Sequence, residues 1–109
     1  MAKEEFTAIS KAGKGGSCHA GEYETSLMLY LAEELVHPEK ADSGDKITYE
    51  SDFFPSKVFW STWGVQQSKS GVYGDPTAAS KDTGRAIMEA TVRNYVAFIK
   101  EFYRFQESR

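Results

Sequence analysis

An imidazole, two carboxylates, two hydroxyls and a thiol fall within one short segment, Cys18-His19-Ala20-Gly21-Glu22-Tyr23-Glu24-Thr25-Ser26. An unperturbed imidazole titrates at roughly pH 6.5, so His19 is suited to moving protons. Imidazole nitrogen and carboxylate oxygen are also ordinary protein ligands of zinc. His19 and Glu22 lie at a spacing that shares one helix face, whereas Glu24 points elsewhere unless His19 sits in the loop just before the helix. A plainer reading competes with this one. Carboxylates in a first helical turn complement the positive end of the macrodipole, and Glu22 and Glu24 need do no more than that.

The ligand inventory narrows the chemistry. Catalytic zinc takes about three protein ligands plus water, usually with histidine among them, and this chain has only 2 histidines. His37, beside Pro38 at the far end of the expected helix, is too distant from His19 to help. A metal site built here must borrow ligands from another segment. Cys18 adjoins His19, but neighbouring residues rarely point the same way and catalytic thiol–imidazole pairs are usually distant in sequence, so an inert cysteine is expected. Gly13-Lys14-Gly15-Gly16-Ser17 lacks the spacing of a phosphate loop and follows no apolar strand. The aromatic residues Phe53, Phe54, Phe59, Trp60 and Trp63 suit a core, a pocket wall or a subunit contact. Without a basic groove they do not suit a platform for stacked bases.

The elements that must hold these residues are legible in the spacing of apolar side chains. Tyr23, Leu27, Leu31 and Leu35, with Met28 alongside, give a buried helical stripe and predict a helix over 22–36 that Pro38 stops. Met88, Val92, Tyr95, Ile99 and Phe102 give a second stripe and predict a helix over 82–105. Gly74-Asp75-Pro76 is a helix-start signal, with Gly84 marking a break between a short first helix and the long one. The glycines and lysines within residues 1–18 favour a mobile or tightly turning loop. Asp42-Ser43-Gly44-Asp45 signals a turn. Ile47-Thr48-Tyr49 and Val58-Phe59-Trp60 are candidate short strands in a middle third that otherwise reads as structured loop.

Composition bounds the class. The chain has 109 residues, 40% hydrophobic and 27% charged, which is ordinary for one globular domain. Folding at this size buries roughly two-thirds of the unfolded surface, enough for a modest core without disulfides. The net charge of -3 carries no basic stripe, so nucleic acid is not an expected partner. No apolar run approaches the ~18 residues of a membrane span, and the charged N-terminus has no apolar core of a signal peptide. A cytoplasmic chain without a membrane partner is expected.

Two segments carry a resemblance. His19-Ala20-Gly21-Glu22-Tyr23-Glu24-Thr25-Ser26-Leu27-Met28-Leu29 closely resembles the H-[AG]-G-x-x-E-T-S-x-M-L segment of the creatininase (creatinine amidohydrolase) family. Gly74-Asp75-Pro76-Thr77-Ala78-Ala79-Ser80, followed by Lys81 and Gly84, looks like the same family's G-D-P-[ST]-x-A-[ST] segment and the long helix after it. Residues 40–70 match only loosely.

The resemblance implies an α/β/α sandwich around a mostly parallel sheet, of which residues 1–109 form the C-terminal half with two main helices. It implies a divalent metal pair, zinc or manganese, and a homo-oligomer, commonly a hexamer. The histidine matching His19 is assigned proton transfer to the leaving group, and the glutamate matching Glu24 is a metal ligand in many members. The position of Glu22 is variable in the family, so Glu22 remains a surface or dipole residue whose loss should be nearly silent. The E-x-H-G-x-H-type and N-G-H-type segments that supply most ligands in the family do not occur here. A complementary N-terminal chain is therefore an expected partner, and this chain alone is expected to be inactive.

With a complete site, a metal pair would acidify water to make a nucleophile at neutral pH. His19 would pass a proton to the departing atom, while Thr25 or Ser26 would orient a ligand. The family includes hydrolases of creatinine, deformylases of pyrimidine intermediates in flavin-type pathways, a peptidase of a peptide-derived cofactor and a hydrolase of a diketo-inositol. Trp60 and Trp63 are the candidate substrate-binding residues, and the polar run Gln66, Gln67, Ser68 and Ser70 favours a small, sugar-like cyclic ketone. The rival from another class is a non-catalytic fragment or assembly subunit whose aromatics form an interface.

Overall fold

The computed structural model describes residues 2–13, 16–44 and 68–109. Three α-helices run through them: α1 over Lys3–Ile9, α2 over Glu22–Leu31 and α3 over Lys81–Glu107. Single 3₁₀ turns lie at Glu33–Leu35, Pro38–Lys40 and Pro76–Ala78. No helix among the described residues is long and apolar enough to cross a membrane.

The expected parallel sheet is not found. Among the described residues there is no strand, and β pairing is confined to an isolated antiparallel bridge between His19 and Tyr73. A parallel sheet needs several extended segments joined by long crossovers. Here the described connections are spent on single turns, and α2 packs directly against α3. The segments read as strands, 47–49 and 58–60, lie outside the described residues.

The N-terminal residues, read as loop, form α1 instead. Ala2 is 0% exposed and Phe6 7% exposed, and both join Ile87 and Ala90 of α3 in one apolar cluster. That burial stabilises a helix whose first turn holds Glu4 and Glu5, while the glycines that suggested a loop begin only at Gly13. Tyr23 of α2 meets the Phe6 ring edge-on with centroids 5.0 Å apart, a favoured aromatic geometry. Glu5 accepts a hydrogen bond of 3.0 Å from the Asn94 amide. That bond, with Arg93 nearby, holds the Glu5 carboxyl below the ordinary carboxylate range.

Helix α2 is shorter than its apolar pattern predicts. It ends at Leu31, and Ala32 leaves helical geometry with φ -155°. Glu33 and Glu34 would otherwise lie in the last turns, where the negative end of the macrodipole disfavours carboxylates. Released from the helix, Glu33 pairs with Lys81 at the start of α3. Only the first half of the expected stripe packs on the core: Tyr23 and Leu27 do so, whereas Leu31 and Leu35 are 59% and 66% exposed.

Helix α3 begins where Ser80 caps it, its hydroxyl accepting the Thr83 amide at 3.1 Å. The expected break at Gly84 does not occur, because this glycine serves packing instead. A Cβ on Gly84 would lie 1.9 Å from the Ser26 carbonyl oxygen, so its absence lets α3 cross directly over α2. The face of α3 that is buried carries Thr83, Gly84, Ile87 and Ala90. The predicted stripe is not buried: Val92, Tyr95, Ile99 and Phe102 are 47–53% exposed. The helical period was read correctly in that half, but no described element covers it.

Candidate functional site

The two motif segments, far apart in sequence, meet at the N-terminal end of α2. The His19 amide donates to the Tyr73 carbonyl at 2.7 Å and the Tyr73 amide returns a bond to the His19 carbonyl at 3.0 Å. The Gly16 carbonyl accepts both the Glu22 amide, at 3.1 Å, and the Asp75 amide, at 2.7 Å. This junction is backbone against backbone. A Cβ on Gly74 would come within 2.7 Å of the Gly16 oxygen and 2.8 Å of the Gly21 Cα, which is why the chain has glycine there. Beyond it, the Asp75 carboxylate accepts the Thr77 amide at 3.1 Å and caps the Pro76–Ala78 turn, as expected of Asp before Pro.

His19 sits in the loop before α2, the arrangement needed for Glu24 to approach it. The Ala20 amide donates to Glu24 Oε2 at 2.5 Å, and the Thr25 hydroxyl donates to the Ala20 carbonyl across a long 3.4 Å. Ala20 has φ 52°, a left-handed conformation uncommon outside glycine. The residue adjoining His19 is thus gripped at its N–H and its C=O by consecutive side chains of α2. Ser26, fully buried, accepts the Ser80 amide at 3.1 Å. Of the two hydroxyls expected to orient a ligand, Thr25 faces the His19 loop and Ser26 joins α2 to α3.

Glu24 and His19 are both exposed, and Glu24 opens onto a cavity of about 370 Å³ that also touches Thr25, Met28, Leu35, Val36 and His37. His37 was discounted because a helix continuing to residue 36 would carry it away from the motif. The early end of α2 turns the chain back, so His37 stands on the wall of the cavity that Glu24 lines. Its Nδ1 lies 3.2 Å from Glu39 Oε1. The signal in the sequence was the Glu33-Glu34 pair, which ends the helix before its apolar period does.

Glu22 departs furthest from expectation. Read as a surface or dipole residue, it is 0% exposed. Its carboxylate accepts the Ser10 hydroxyl at 2.6 Å, the Lys11 amide at 2.9 and 3.0 Å, and the Ala12 amide at 2.8 Å. A buried carboxylate is tolerated only when such donors replace lost water. Helix-dipole logic foresaw a carboxylate at this position but not the loop folding over it.

Trp60, Trp63, Gln66 and Gln67 lie outside the described residues. The Ser68 hydroxyl donates to the Val72 carbonyl at 2.7 Å and lies 3.3 Å from that of Ser70, so both serines take part in a local turn. Cys18 is an exposed free thiol.

Glu24 and His19 suit a borderline divalent cation in donor type, and the amide bond to Glu24 Oε2 is the kind of support that orients a ligating carboxylate. Among the described residues, no three histidine, cysteine, aspartate or glutamate side chains converge to hold an ion. The described residues therefore do not close a metal shell by themselves.

Comparison with known proteins bears on this arrangement. The family model described as creatinine amidohydrolase (creatininase) matches residues 2–99. A protein of Mycobacterium ulcerans (strain Agy99) named mycofactocin precursor peptide peptidase is 34% identical over 85 residues, covering 78% of this chain and 33% of that protein. A protein of the same name from Mycobacterium tuberculosis (strain CDC 1551 / Oshkosh) is 37% identical over 82 residues, covering 75% of this chain and 32% of its own length. The chain spans about a third of the length of these curated relatives. No solved structure matches it.

Proposed function

This chain belongs to the creatininase family, and on that premise we propose that it contributes part of the active site of a divalent-metal-dependent amide hydrolase. The observation that carries this reading is the grip on Ala20, through which the Glu24 carboxylate and the His19 loop are fixed to one another beside an open cavity. Glu24 is the residue that would hold metal, zinc or manganese. When bound, a divalent pair supplies Lewis acidity and a water acidified to about neutral pKa.

The chain's own residues then have distinct tasks. His19, on a backbone held from Tyr73, moves a proton to the departing group. Thr25 and the Ala20 amide keep Glu24 and the His19 loop in register. Met28, Leu35 and Val36 give the cavity an apolar wall, and His37 adds a polar group to it. The relatives named as precursor-peptide peptidases favour a peptide or other amide bond over the sugar-like ketone suggested by residues 66–70. The remaining ligands come from a complementary segment or from another copy in an oligomer.

A second reading has its own observation. The apolar side chains on the C-terminal half of α3, from Val92 to Phe105, stand 44–61% exposed, which suits an assembly subunit as well as an enzyme. The two are separated by assaying the chain together with a creatininase-type N-terminal segment on a peptide amide. The hydrolase reading expects turnover that a chelator abolishes and zinc or manganese restores. A stable complex that binds metal yet hydrolyses no amide would instead establish the subunit reading.

A further inference from the structure

The buried carboxylate of Glu22 has no part in the mechanism above, and its position in the fold gives it one. Its four short contacts all come from Ser10, Lys11 and Ala12, a segment outside both family motifs. Gly13, next in the chain, accepts the Gly16 amide at its carbonyl across 3.1 Å. Gly16 presents its own carbonyl to the two amides that define the junction, those of Glu22 and Asp75. Two residues before Asp75, Tyr73 exchanges both backbone bonds with His19.

The connections therefore form a closed circuit, from the Glu22 carboxylate through residues 10–13 and the Gly13–Gly16 hydrogen bond to the Gly16 oxygen, and from there through residues 73–75 to the backbone of His19. We propose that Glu22 is a positioning residue, a buried clamp on residues 10–12 that sets the placement of His19. The functional consequence rests on the reading of His19 as a proton-transfer group, but the mechanical coupling does not.

The carboxylate, rather than any group of similar shape, is required. Two backbone N–H groups and a hydroxyl donate to it and it donates to none. In Glu22→Gln the amide nitrogen replaces one acceptor and faces donors, so at least one contact becomes a mismatch of two N–H groups. The small residue Ala12, 5% exposed, seals the same corner.

The test is by nuclear magnetic resonance on the 109-residue chain, reading amide exchange together with the imidazole C–H signals of its 2 histidines. In Glu22→Gln, exchange at Lys11 and Ala12 should quicken by roughly tenfold or more, the scale of a lost charge-assisted hydrogen bond. Exchange at His19 and Tyr73 should quicken with it. The His19 imidazole signal should shift while that of His37, on a separate turn, stays in place. If Lys11 and Ala12 respond but the His19 amide, the Tyr73 amide and the His19 signal do not, Glu22 merely staples a loop and the proposal is overturned. Should Glu22→Gln fail to fold, Ser10→Ala removes a single donor and must give the same pattern at smaller amplitude; a silent His19 there also overturns it. Failure of the reading of His19 as a proton-transfer group would show separately, as undiminished turnover in His19→Ala while the Glu22–His19 coupling is intact in the chain that keeps His19.

Discussion

Glu22 and Glu24, two positions apart on the same first turn, do opposite things. Glu22 points inward and is saturated by a loop, whereas Glu24 points outward to the Ala20 amide and a cavity. Charge and position along the helix are common to both, so composition alone does not separate them. The family pattern did separate them, but it assigned Glu22 to the surface because variable positions usually lie there. For the pair proposed to act, the expected phenotypes differ. In the complete hydrolase, His19→Ala should lower kcat by roughly 10²-fold while metal content stays high, since a general acid acts in the transition state. Glu24→Ala should lose metal, and excess zinc or manganese should restore part of the rate. Rates and metal analysis on the same preparations check both. Equal metal loss in the two variants would place His19 among the ligands instead.

At the scale of elements, apolar period located α2 and α3, whose starts at Glu22 and Lys81 lie close to the expected 22 and 82; Asp75 caps the Pro76–Ala78 turn, as its place before proline suggested. The period misjudged which turns are buried, because burial depends on what lies opposite. The contacts of α3 with α1 reach as far as Asn94, about halfway along the helix, so the period continues past the end of its partners. Ile87 is 0% exposed and Ile99 is 47% exposed. Ile87→Ala should therefore cost about 2 to 5 kcal/mol, whereas Ile99→Ala in the chain alone should cost under about 1 kcal/mol. Denaturant midpoints test the contrast, and a large loss at Ile99 would show that its face is covered. Gly84→Ala pits two effects against each other. Alanine favours a helix interior by about 1 kcal/mol, but its Cβ would overlap the Ser26 oxygen, and forcing packed helices apart costs typically about 1 to 3 kcal/mol. Net destabilisation is expected, seen as a lower thermal midpoint; a rise would mean that α2 and α3 separate easily.

Across the whole molecule, the described residues make a helical unit with a core of a few side chains, and they hold His19 and Glu24, the two groups proposed to act. The junction of the two motifs was legible only as resemblance. Nothing in the spacing between residues 19 and 74 announces that Tyr73 pairs with His19, since that pairing depends on glycines whose value is a lack of bulk. The expected ligand shortage, in contrast, follows from counting histidines. The most direct measurement is therefore metal stoichiometry, by plasma mass spectrometry after dialysis, of the chain alone, of the chain with a creatininase-type N-terminal segment, and of that pair carrying Glu24→Ala. A partial shell predicts weak, substoichiometric zinc or manganese for the chain alone, near-full loading for the pair, and loss of loading with Glu24→Ala. Tight one-to-one metal on the chain alone, or full loading of the pair without Glu24, would contradict it.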